Sequence, residues 1–200
     1  MMIQPTSSLT DILDHAWGLL IRGGADKKHP YHYPGLATYG AQGIQQRTVV
    51  LRKALKPERQ LLSYSDARPQ KIADLRQQPE SSWLFYDHAS KEQIRARSII
   101  TLHHQDQTAR EHWDAIPPAA RGDYLGPTPP GTPSETYTDN LPPDFKEKPT
   151  EENTQEGFSN FVVLVGGVIA LDYLKLRREG HLRAQFHWQH DAWQESWVAP

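Results

Sequence analysis

Apolar residues recur at helical spacing after Ser8, at Leu9, Ile12, Leu13, Ala16, Leu19 and Leu20, and Asp11 stands three positions beyond Ser8 as a capping partner. The pattern predicts an amphipathic helix over 9–22, stopped by Gly23-Gly24. The stretch 26–43, rich in Gly, Tyr, His and Pro, reads as a loop with one short strand over 36–39. Runs at 47–53 (RTVVLRK) and 60–66 (QLLSYSD), parted by Lys56-Pro57-Glu58, read as adjacent strands. A helix is expected over 69–78, with Pro69 at its first position, Ile72 and Leu75 facing inward and Pro79 ending it.

Alternation then takes over. Residues 82–86 form an apolar run, and over 93–102 Ile94, Ala96, Ser98, Ile100 and Leu102 oppose Gln93, Arg95, Arg97, Ile99 and Thr101. A further helix is expected over 107–115, broken at Pro117-Pro118. Nine of the sixteen prolines lie in 117–149, so 117–157 reads as a long loop, either a surface insertion or a lid or interface segment. Four strands follow, over 161–165, 168–176, 182–188 and 193–198, with turns at Arg178-Glu179-Gly180 and His190-Asp191. Six or more strands with short turns and few helices point to one mainly β domain spanning the 200 residues, an antiparallel barrel with peripheral helices.

Composition removes several chemistries. Without cysteine there is no disulfide, thiolate metal site or cysteine nucleophile. A net charge of −2 gives no general attraction to nucleic acid or anionic membrane, so any anion site is local. The longest apolar run, 161–171, is about half of the roughly 20 residues a spanning helix needs. The first residues lack a basic head followed by an apolar stretch, and a cytoplasmic location is expected. None of the ten histidines has metal-ligand spacing with a carboxylate, and GxSxG, Walker A and GxGxxG motifs are absent; no metal is expected.

Three segments can carry chemistry. At the junction Ser65-Asp66-Ala67-Arg68-Pro69-Gln70-Lys71, a helix N-terminus with Arg68, Lys71 and the Ser65 hydroxyl can form a phosphate pocket. It can equally be a helix capped by Asp66 with solvated basic residues. Arg47 and Arg52 bracket RTVVLRK with opposite parity, so a flat strand cannot aim both at one ligand without a twist or bulge; an ordinary strand with solvated ends fits as well. Over 181–188, His181, Arg183, Gln185 and His187 share one face, which can line a polar ligand or face solvent.

In this order the three pieces resemble the pyridoxamine 5'-phosphate oxidase family of FMN-binding split barrels, over about 47–200 and including the ending WQESWVAP. RTVVLR is similar to the family's R-x-V-x-L-K strand at Arg47, Val49 and Leu51, with Arg52 for Lys. Tyr64-Ser65 and Lys71 stand where the family has Tyr-Thr and the Lys of its phosphate-binding Ser-Arg-Lys, while Gln70 replaces the Arg. The resemblance implies a split barrel holding FMN at a homodimer interface. It implies FMN contacts from Arg47, Thr48, Val49, Val50, Leu51, Arg52, Ser65, Arg68 and Lys71, with Gln93 and Gln185 at the ring's polar edge. It also implies an oxidoreductase passing a substrate hydride to flavin, with His181, Arg183 and Arg52 orienting the substrate. Where the family has Arg-Leu-His-Asp-Arg, this sequence has His181-Leu182-Arg183-Ala184-Gln185, and the family's substrate-phosphate cluster has no clear copy in 113–133. A non-catalytic flavin or anionic-ligand binder, or a barrel without ligand, are the alternatives.

Overall fold

A computed structural model of the chain describes residues 3–41, 43–142, 145 and 148–200. Residue 42 of the expected 26–43 loop, and residues 143, 144, 146 and 147 of the expected proline-rich loop, lie outside the described residues.

Helix α1 (Leu9–Ala25) begins as expected: Ser8 Oγ accepts from the Asp11 amide and the Asp11 carboxylate accepts from the Ser8 amide, each at 3.1 Å. It does not stop at Gly23-Gly24. These glycines allow close packing instead, since a Cβ on Gly23 would lie 2.7 Å from the Tyr31 Cβ and one on Gly24 3.1 Å from the Lys53 Cα.

The nine strands form one antiparallel sheet: β1 (Gly35–Gly40), β2 (Gly43–Thr48), β3 (Lys53–Leu55), β4 (Gln60–Asp66), β5 (Glu80–Asp87), β6 (Glu92–His104), β7 (Phe161–Lys175), β8 (Leu182–Gln189) and β9 (Ala192–Trp197). Helix α2 (Gln70–Gln77) follows β4, with Pro69 just outside it as the N-cap, and α3 (Gln107–Asp114) follows β6. The main path runs β2-β1-β5-β6-β7-β4-β3, so the two ends of the path are joined by residues 49–52. That junction corrects the expected strand over 47–53. The chain leaves β2 after Thr48, the Val49 and Leu51 amides donate to Pro34 and His32 carbonyls at 3.0 and 2.9 Å, and the Arg52 amide donates to Leu62. Changing partners from one edge to the other breaks the ladder and closes the barrel.

The sheet also forks. The first half of β7 pairs with β4, Phe161 through Gly167 against Asp66 through Gln60, and its second half pairs on that side with β8, from Ala170↔His187 to Lys175↔Leu182. Gly166-Gly167 do not divide β7 into two strands, which corrects the sequence expectation. A Cβ on Gly166 would lie 2.7 Å from Ser98 Oγ, which itself accepts from Trp83 Nε1 at 2.9 Å inside the barrel. The register slips beside this point, where Arg97 pairs with Ala170 but Ser98 with Val168. β8 and β9 are joined by His190 and Asp191, both at positive φ (49° and 58°), as a two-residue hairpin turn requires.

The inward faces of the strands meet α1 in a core that includes Trp17, Leu20, Leu36, Trp83, Phe85, Ile94, Leu171 and Phe186. A second cluster of Leu62, Trp113, Tyr124, Phe161 and Val163 lies under α3. The first part of the proline-rich segment belongs to this second cluster. Arg121, only 1% exposed, donates to the carbonyl oxygens of Ile116 and Trp113, to Thr154 Oγ1 at 3.1 Å and to the Glu151 carboxylate at 2.6 Å. Thus 117–125 is pinned structure, whereas 131–139 is exposed. Among the described residues no helix is long and apolar enough to cross a membrane.

Candidate functional site

Two cavities meet at the start of α2. One, of about 270 Å³, is lined by Thr48, Val49, Val50 and Arg52 from the closing segment, by Tyr64 and Ser65 at the end of β4, and by Lys71. Asp123, Tyr124 and Pro130 of the proline-rich segment form its outer wall. The other, of about 580 Å³, shares Pro69, Lys71 and Pro130 and adds Arg47, Gln45 and Asp74. Breaking the strand at 49–52 resolves the parity problem: Arg47 and Arg52 reach cavities on either side of Lys71 without sharing a strand face.

Lys71 has no hydrogen-bond or ion-pair partner among the described residues. Burial pushes its ammonium pKa down and the nearby Arg47 charge adds to this, with Asp66 opposing both. Arg47 is itself depressed by burial, with Asp74 opposing, and spends one nitrogen on Thr38 Oγ1 (2.6 Å) and the Leu36 carbonyl (3.3 Å). Two half-buried cations placed together, one of them depressed by the charge of the other, favour an anion between them. Pro69 offers no side-chain cap, so the first-turn amides of α2 add donors at the same place. Arg52 lies over the Tyr64 ring, 5.1 Å from Cζ to centroid, and its Nε is buried without a partner among the described residues.

Other expected residues are placed differently. Leu51 is fully buried in the core and lines neither cavity. Ser65 Oγ lies at the smaller cavity and donates to the Asp66 carbonyl at 2.9 Å. Arg68 turns away from Lys71: it donates to the Asp66 carboxylate, at 2.6 Å from Nη2, and to the Gly126 carbonyl at 2.8 Å, and so ties the loop to the β4–α2 junction. Asp66 serves that turn, accepting the Arg68 amide at 2.8 Å, and does not cap α2.

The polar face of β8 carries a different arrangement. Arg183 and Gln185 both donate to Asp172 on β7, at 2.9 and 2.7 Å, and Arg95 on β6 donates to the same oxygen at 2.7 Å. Burial works against the charge on Asp172, yet these three partners hold its carboxyl below the ordinary range. The group borders a separate hollow of about 210 Å³ with Ser82, Arg97 and His187. His181 precedes β8 in an exposed turn and accepts from the Arg177 amide at 3.1 Å. Gln93 lies part-buried on β6, opposite Tyr86 and Leu174. Neither Gln93 nor Gln185 lines the cavities around Lys71.

Sequence reasoning assigned no site role to Asp172, Asp123 or Tyr124. For Asp172 a signal existed, a lone carboxylate in an otherwise apolar run, and its partners are cross-strand neighbours set by register. Asp123 and Tyr124 reach the cavity through loop packing, for which the sequence carries no periodicity.

The fold is the antiparallel split barrel of the proteins related to pyridoxamine 5'-phosphate oxidase. Residues 14–104 match the family model described as the pyridoxamine 5'-phosphate oxidase FMN-binding domain. The chain is similar to the structure of a pyridoxamine 5'-phosphate oxidase-related, FMN-binding protein from Nostoc punctiforme PCC 73102, with a TM-score of 0.74 and 24% identity over 100% of both chains. It is also similar to PhzG from Burkholderia lata 383, solved with tetrahydrophenazine-1-carboxylic acid, with a TM-score of 0.68 and 13% identity over 98% of this chain and 95% of that one. No curated protein sequence matches the chain.

Proposed function

We propose that the protein is an FMN-dependent oxidoreductase resembling pyridoxamine 5'-phosphate oxidase and working as a homodimer with flavin at the subunit interface. The observation that carries this reading is Lys71: a half-buried cation without a hydrogen-bond or ion-pair partner among the described residues, facing Arg47, where the closing segment 49–52 meets the start of α2. Placed there, a phosphate dianion would receive Lys71, Arg47 and the α2 amides, and the Ser65 hydroxyl on turning from the Asp66 carbonyl. The flavin ring would run along 48–50, with the open donors of Arg52 at its edge. Gln93 and Gln185, outside these cavities in one copy, would reach the ring from the second copy. Exposed Tyr39, Ile44, Leu84, Tyr86 and Ile99 on β1, β2, β5 and β6 supply an apolar outer face for that association. Bound FMN would supply a hydride acceptor that oxygen reoxidises.

A second reading, a flavin carrier without turnover, is favoured by one specific observation. Arg183, expected to orient substrate, is engaged by Asp172, and His181 stands apart in a turn.

Absorbance of the purified protein at the flavin bands, with mass analysis of any small molecule released on denaturation, tests the proposal. FMN is the expected molecule, and a colourless protein that takes up no added FMN rules out both readings. Oxygen consumption with candidate amine substrates, pyridoxamine 5'-phosphate among them, then separates enzyme from carrier.

A further inference from the structure

Helix α3 brings a titratable group to the back of the flavin cavity. Asp106 caps the helix by accepting the Ala109 amide at 2.8 Å, while Ala109 and Trp113 pack into the second cluster. His112, next to Trp113, then meets Tyr64 with its Nδ1 2.9 Å from the phenol oxygen. Tyr64 also rests edge-on against Phe161, with ring centroids 5.0 Å apart, and the Arg52 guanidinium lies over its ring.

Stacking holds a guanidinium by its plane and uses none of its five N–H donors. Arg52 thus keeps donors for a ligand, consistent with its buried Nε, which has no partner among the described residues. The support is only as steady as the ring beneath it. The phenol oxygen of Tyr64 has His112 as its partner, and burial with Lys53 holds the His112 pKa down, with Glu111 opposing and His103 adding to the depression. A neutral imidazole can accept the phenol proton through Nδ1, and burial keeps Tyr64 protonated, although Arg52 opposes that shift.

We infer that His112 is a positioning residue of the flavin cavity: by fixing Tyr64 through its hydrogen bond, it sets the platform that aims the Arg52 guanidinium at the bound cofactor. This rests on the flavin reading above, in which Arg52 meets the ring.

The test is a double-mutant cycle with FMN as the probe, read by quenching of its fluorescence on binding. His112→Phe and Tyr64→Phe each weaken binding about fivefold, the factor expected for losing roughly 1 kcal/mol of cation–π support, and the double variant is no worse than either single one. His112→Asn, which retains an acceptor, stays within about twofold of the parent. On an Arg52→Met background, His112→Phe changes nothing further. Equal losses with and without Arg52 overturn the inference, because His112 would then act on folding alone. A second readout is independent of flavin: the Arg52 Nε–H resonance in the ligand-free protein broadens or averages in His112→Phe, and an unchanged resonance overturns the positioning role. Failure of the parent to bind FMN overturns the flavin reading, while the Arg52 resonance still decides whether His112 fixes the guanidinium.

Discussion

Tyr173 on β7 donates its phenol to the Glu92 carboxylate on β6 across 2.6 Å. His15 on α1 meets the same oxygen at 2.9 Å, Lys175 lies 3.3 Å away, and Tyr31 donates to the Glu92 carbonyl at 3.0 Å. One buried carboxylate thereby fastens α1 to the two longest strands.

Acid stability follows from that arrangement. Burial opposes ionisation of Glu92, but the hydrogen bonds from His15, Tyr173 and Ser90 outweigh it and bring its pKa down to about 2, well below the ordinary carboxylate range. A folded pKa below the unfolded one means the unfolded chain binds the extra proton first. The contribution is therefore complete above the ordinary carboxylate pKa and disappears as pH falls toward about 2. Glu92→Gln should lower stability near neutral pH by roughly 2 to 3 kcal/mol and match the parent near pH 2, as read from denaturant midpoints across the acid range. A gap that stays constant with pH would show that packing, not charge, is the source.

For the proposed phosphate site, Lys71→Glu should weaken FMN binding by roughly a hundredfold or more, because one charge-assisted contact is lost and a carboxylate replaces it beside Arg47. Arg68→Met should weaken it by less than about threefold, since Arg68 is already committed to Asp66 and Gly126. Titration of both variants by fluorescence quenching checks the pair, and equal losses would mean that the phosphate lies nearer Arg68.

Arg121 offers a stability test. Replacing it by Met leaves the carbonyls of Ile116 and Trp113 without their buried donor and should cost roughly 2 to 4 kcal/mol. Limited proteolysis should then cut faster in 117–125, the stretch that this side chain pins. Resistance equal to that of the parent would show that other contacts hold the segment.

Gly166 and Gly167 differ in what they face. Gly166→Ala should destabilise by about 1 to 3 kcal/mol, because its new methyl would press on Ser98, whose hydroxyl already accepts from Trp83. Gly167→Ala meets only the Ile99 carbonyl at 3.7 Å and should cost less than about 1 kcal/mol, reflected in a smaller drop in thermal midpoint.

Local periodicity made much of the architecture legible. The capping pair Ser8–Asp11, the alternation over 93–102 and the turn at His190-Asp191 are each encoded within a few residues, and each is present in the structure. What could not be read depends on partners distant in sequence. RTVVLRK has the composition of a strand, yet 49–52 change partners because the barrel has to close there. Gly166-Gly167 look like a break until Ser98 and Trp83 are seen beneath them. At the candidate site, the junction reading named Ser65, Arg68 and Lys71; Ser65 and Lys71 line one cavity with Arg52, and Lys71 lines the other with Arg47. Arg68 is diverted by Asp66, two residues away, and Arg183 by Asp172, a cross-strand neighbour fixed only by the register between β7 and β8.

The segment that would carry the flavin is also the seam of the barrel. A molecule lodged against 48–52 would hold together two sheet margins that otherwise meet through a few amide bonds from Val49, Leu51 and Arg52. Occupancy should thus slow amide hydrogen exchange in β2 and β3 alike, and loading the protein would work as a clasp on the whole sheet.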